Sequence, residues 1–119
     1  MSKYSMGRVP SKESGYRLCK TVGNWDVYYK FSYSYFINLK LVENSGLKKE
    51  GKSNYWISLN AKTGSFMNNT DFSRFMESFD DDTKTSVLLL VKGMRHKCIS
   101  YVRTWHIRRF LHLKKKEVL

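Results

Sequence analysis

Between Val27 and Leu41 the chain alternates without a slip. Val27, Tyr29, Phe31, Tyr33, Tyr35, Ile37, Leu39 and Leu41 share one parity, and Tyr28, Lys30, Ser32, Ser34, Phe36, Asn38 and Lys40 share the other. Successive side chains of an extended chain point to opposite sides, so a period of two requires β structure with one buried face. The stretch is longer than an ordinary strand at about 3.3 Å per residue, which predicts a bend or bulge near Ser32 to Ser34. Tyr16 to Val22 reads as its partner, joined through Gly23-Asn24, a dipeptide suited to a tight hairpin. Asn54 to Asn60 reads as a third strand, closed by the turn Ala61 to Gly64.

The pattern then changes to helical spacing. Asn69 or Thr70 can cap a helix over 70–79 in which Phe72, Phe75, Met76 and Phe79 recur at intervals of three and four. Asp80, Asp81 and Asp82 are consecutive, so their carboxylates diverge, and they suit a helix start better than a metal site. From Val87 onward, Val87, Val91, Met94, Cys98, Tyr101 and Trp105 form a helical stripe. Gly93 and the β-favouring run Cys98 to Ile107 pull toward a strand pair; the periodicity favours the helix. The expected fold is therefore a small α+β domain over residues 16–113, with an antiparallel sheet of about three strands, a short helix and a basic C-terminal element. Residues 1–15 read as a flexible basic arm and 114–119 as a basic tail.

One domain is what 119 residues can build, and 41% apolar with 15% aromatic side chains describes a chain that folds. The longest apolar run, Val87 to Val91, is far below the roughly 20 residues of a membrane span. No apolar stretch near the N-terminus resembles a secretory signal, and two cysteines, Cys19 and Cys98, cannot form a disulfide framework. Both are expected reduced and partly buried, in a protein inside the cell, cytoplasmic or, in a eukaryote, nuclear. No membrane partner is expected.

Charge carries the functional signal. The net charge is +12, and residues 92–116 hold nine Lys and Arg, all three histidines and no carboxylate. A block of one sign unbalanced by its neighbours attracts polyanions. On a helix, Lys92, Arg95, His96, Arg103 and His106 gather beside the apolar stripe, and Arg108, Arg109, Lys114, Lys115 and Lys116 prolong the track. A solubilising surface would mix both signs. The expected function is nucleic-acid binding, to DNA or RNA, through phosphate contacts and without catalysis or cofactor.

Other constellations compete with that reading. Residues 46–53, GLKKEGKS, match the phosphate-cradling pattern G-x-x-x-x-G-K-[ST]. The loop needs a helix immediately after it and a distant magnesium-binding aspartate. Asn54 to Ser58 is poor helix sequence, Val87 to Val91 ends in Lys92, and Glu50 would repel phosphate inside the cradle. The segment is thus a basic loop between strands whose Lys48, Lys49 and Lys52 form a secondary phosphate-contacting site. Tyr28, Lys30, Phe36 and Lys40 mix rings and cations as single-strand binders do, but such a strand face more often meets a second layer of its own protein. His96 and His106 suggest a metal-independent nuclease as a remote alternative. Zinc on those histidines with Cys19 or Cys98 lacks any ligand spacing in its favour. The main rival is a small protein-interaction module, such as a phage- or viral-type inhibitor or an assembly component docking on an acidic partner.

Overall fold

The computed structural model describes residues 15–44 and 54–118. The chain is α+β: four antiparallel strands in the order β1-β2-β3-β4, then three helices. The strands are β1 (Arg17–Val22), β2 (Trp25–Phe31), β3 (Phe36–Glu43) and β4 (Asn54–Asn60). The helices are α1 (Thr70–Ser78), α2 (Asp81–Gly93) and α3 (Arg95–Val118).

The long alternating stretch is two strands, not one bent strand. The chain reverses at Ser32 to Tyr35, where Tyr35 N donates to Ser32 O (3.0 Å) and Ser32 N to Phe36 O (2.8 Å). The reversal leaves no trace in the alternation because Phe31 pairs with Ile37 and Tyr29 with Leu39, odd numbers opposite odd. Paired residues share a face, so parity carries straight through this turn. Tyr35 adopts a left-handed backbone with φ of 71°, which favours glycine. It is held there by its carbonyl, which accepts from Ala61 N at 2.8 Å, and by the Lys62 ammonium 4.2 Å over its ring.

Register sorts the sheet into two faces. Val27, Ile37, Leu39, Leu41, Tyr55, Ile57 and Leu59 point inward and are buried. Phe75 of α1, Val87 and Val91 of α2, and Met94, Cys98 and Val102 complete one cluster with them. Asn69 caps α1 through Phe72 N (2.7 Å), and Asp80 caps α2 through Thr83 N (3.0 Å). Thr83's backbone and hydroxyl hydrogen bonds hold the Asp80 carboxyl below its usual range. The outer edge of β4 is closed as well: Met67 N donates to Ser58 O (2.8 Å) and Trp56 N to Asp71 Oδ2 (2.9 Å). Such closure removes a template for edge pairing.

The three helices contribute their buried residues to the inner face of the sheet, while on the outer face Tyr28 and Ser58 are buried as well. The chemistry of that outer face is polar at the centre, where the fully buried Ser58 hydroxyl donates across strands to Asn38 Oδ1 at 2.6 Å. Tyr28 is buried and Phe36 half-buried, so of the rings near Lys40 only Trp56 offers an exposed surface. Leu39→Ala should cost on the order of 2–5 kcal/mol by opening a cavity in the core. Trp56→Ala on the outer face should cost about 1 kcal/mol. Urea unfolding of the two variants checks the difference.

Candidate nucleic-acid interface

Helix α3 begins afresh at the α2 boundary, where Met94 N turns back onto Val91 O (3.1 Å) and Cys98 N donates to Met94 O (2.9 Å). The single helix expected from Val87 onward is therefore two helices. The break shifts the apolar stripe: Met94, Cys98 and Val102 are buried, while Tyr101 is 52% exposed and not in the core as its spacing from Met94 implied. Beyond the half-buried Trp105, α3 leaves the sheet, and every side chain from His106 to Lys115 is exposed. This projection stretches the molecule to 58 Å against 34 and 22 Å.

The expected site residues do not form one surface. Arg95 is engaged in structure, donating through Nε to Ala61 O (2.8 Å) and through Nη2 to Lys62 O (3.1 Å). A Cβ on Gly64 would come within 2.8 Å of Arg95 Nη1, so this turn and the guanidinium are fitted to each other. His106 is anchored too. Its Nε2 lies 2.9 Å from the Tyr33 carbonyl oxygen, which can only accept, so the proton sits on Nε2. Lys92 lies in the last turn of α2, exposed. His96 and Arg103 are exposed on the outward side of α3. Lys114, Lys115 and Lys116 belong to the last turns of α3 and not to a separate tail, with Lys114 and Lys115 exposed. Lys48, Lys49 and Lys52 lie outside the described residues; the segment that holds them joins β3 to the antiparallel β4. A strand follows that segment where a nucleotide cradle requires a helix, and Val87 to Val91 is helical, so the phosphate-cradle pattern lacks its architecture.

What the fold does bring together includes residues the sequence pattern did not single out. Lys97, Arg108 and Lys115 fall within about 20° of one another around α3 at 3.6 residues per turn. They form a line of cations on the side that carries Tyr101. Arg109 lies about 100° round the helix from Arg108, its guanidinium 5.6 Å from the centre of the Trp105 ring. Between this side of α3 and strands β1 and β2 opens a cleft of about 440 Å³, lined by Arg17, Lys30, Lys97, Tyr29, Phe31 and Tyr101 among others. Among the described residues no carboxylate lines it. Tyr33, also on the cleft, stacks on Trp105 at 3.9 Å and fixes the point where α3 leaves the sheet. Sequence reasoning assigned Tyr101 to the core and passed over Arg17 and Lys97. Only the pairing of β1 with β2 and the fresh start of α3 make them neighbours.

The catalytic alternatives find no assembled geometry. His96 and His106 are ten residues apart on one helix, about 15 Å along its axis, too far to act on one phosphate. Among the described residues no group of three His, Cys, Asp or Glu side chains converges. Cys98 is buried, and burial pushes its thiol up to about 11. Cys19 is exposed, contrary to the expected partial burial; desolvation raises its thiol, and Lys97 and Lys20 pull it the other way. Among the described residues no helix is long and apolar enough to cross a membrane. Set against known families, curated proteins and solved structures, the chain finds no match.

Arg95→Ala should lower stability by about 1.5–3 kcal/mol per charged hydrogen bond left unmade. Arg103→Ala, on the exposed side of the same helix, should stay within about 0.5 kcal/mol. Thermal unfolding of the pair separates the structural arginine from the free one.

Proposed function

We propose that the protein binds nucleic acid through phosphate contacts, without performing chemistry on it. The observation that carries this reading is the acid-free cationic track along α3, Lys97 to Arg108, Arg109 and Lys115, which runs out of a cleft bearing Arg17 and Lys30. Cations aligned along about 27 Å of helix suit a ligand with regularly repeated negative charge. A small anion would need only two or three of them. The polarity of the cleft adds to the case, since its described lining presents rings beside cations.

A second reading rests on a separate observation. In the projecting part of α3, Ile107, Phe110, Leu111 and Leu113 are about half to 60% exposed. Ile107, Phe110 and Leu111 stand at i, i+3 and i+4, with Leu111 bordering the Arg108–Lys115 line and Phe110 turned farthest from it, the anchor spacing of a helix laid in an apolar groove. Exposed apolar groups in such an array mark a contact surface. The cations flanking them favour a partner whose groove is rimmed by acidic residues.

Replacing Lys97, Arg108, Arg109 and Lys115 together by Gln should flatten the dependence of log affinity on log salt by roughly 3 units, at about 0.7–0.9 per phosphate. Fluorescence anisotropy with labelled DNA and RNA at several salt concentrations measures it, and circular dichroism confirms folding. An unchanged slope in a folded variant would transfer the charge to the protein-partner reading. On that reading Phe110→Glu should abolish capture of an acidic partner while leaving nucleic-acid affinity within about threefold, since it changes one charge off the track.

A further inference from the structure

Resting on the nucleic-acid reading, we propose that the cleft between β1–β2 and α3 receives an unpaired base, which makes single-stranded nucleic acid the preferred ligand. Tyr33, one ring of the cleft, is covered by Trp105, with 17° between planes. Phe31 packs against the core and meets Tyr29 at 52° and Tyr101 at 55°, inclined contacts and not stacks. Tyr101 is half exposed on a helix whose neighbouring core positions are closed. Its location at the mouth of a cleft lined by Arg17, Lys30 and Lys97 supplies the two parts that a nucleotide needs, a π-face for the base and cations for its phosphate.

The cleft discriminates by access. A base within a duplex has both faces covered by its neighbours and its edge paired, so it cannot present a face to Tyr101 without first leaving the helix. A single strand offers that face freely. The volume of about 440 Å³ lies in the range of ordinary ligand clefts and accepts a base with part of its sugar. Further along the strand, Arg108 and Lys115 continue the line from Lys97, about 16 Å and 27 Å along the helix, so phosphates several nucleotides away meet cations outside the cleft. A mononucleotide would use only the cleft; a strand uses cleft and track together.

The test compares Tyr101→Ala and Tyr101→Phe with the wild type, using labelled oligothymidylate, the same strand with abasic sites, a duplex of equal length and thymidine monophosphate. Tyr101→Ala should weaken single-strand binding about 5- to 100-fold, leave duplex binding within twofold and preserve the salt slope. Tyr101→Phe should restore affinity, and the abasic strand should bind the wild type as weakly as the normal strand binds Tyr101→Ala. Equal losses on single strand and duplex, or no loss on either, would overturn base capture while a retained salt slope left phosphate binding standing. Thymidine monophosphate bound as tightly as the strand would overturn the strand assignment. Absence of binding to every nucleic acid at low salt would sink this inference and the reading beneath it together.

Discussion

The molecule is organised around Leu39. It stands on the third strand with Tyr29 beside it on one neighbour and Ile57 on the other, fully buried in the cluster that the helices complete. A four-stranded sheet with one apolar face cannot remain open to water on that side. The cover comes from α1, from α2 and from the first half of α3, whose inward residues are Phe75, Val87, Val91, Met94, Cys98 and Val102. Fixing α3 over the sheet by this burial also fixes where its far half can go. The cleft, through Tyr29 and Phe31, borders that hydrophobic contact, and the cationic track inherits its position from it.

Polar details then lock the corners. Arg95 ties the start of α3 to the turn after β4, and His106 ties its middle to the β2–β3 turn. Both were natural candidates for ligand contact on charge alone. Only the Ala61 carbonyl among their acceptors is part-buried; the Lys62 and Tyr33 carbonyls are exposed, so these contacts act mainly to fix the helix against the two turns. Among the described residues no hydrogen bond to a backbone carbonyl holds Lys97, Arg108, Arg109 or Lys115. Whether a basic residue is engaged depends on which acceptors the fold brings beside it, which charge counting along a sequence does not reveal.

The α+β class, the positions of β1 and β4 and the Asn69 and Asp80 caps could be read from local chemistry, because hairpin dipeptides, alternation and capping residues act within a few positions. The division of the long stretch at Ser32 to Tyr35 could not, since pairing Phe31 with Ile37 keeps the parity intact and Tyr35 takes a conformation usually given to glycine. The restart at Met94 was equally hidden. It requires no proline, and an extra Cβ on Gly93 would meet nothing, so the sequence around the break carries no steric signature. Reading one unbroken stripe from Val87 to Trp105 put Tyr101 in the core and concealed the cleft. The long-range partners of a side chain were out of reach wherever they came from an element more than a hairpin away.

Mechanically, the far half of α3 is a beam held at one end. Its last firm supports are the Trp105 ring on Tyr33 and the His106 hydrogen bond to the Tyr33 carbonyl, and a further 12 residues, about 18 Å of helix, extend beyond them. A rocking of 10° at that support moves the tip by about 3 Å, whereas Lys97, close to the buried Cys98, hardly moves at all. Charges near the tip thus sweep through an arc, which suits contacts that tolerate displacement, as those with phosphates do. Contacts demanding fixed geometry belong at the root, where the rings of the cleft are.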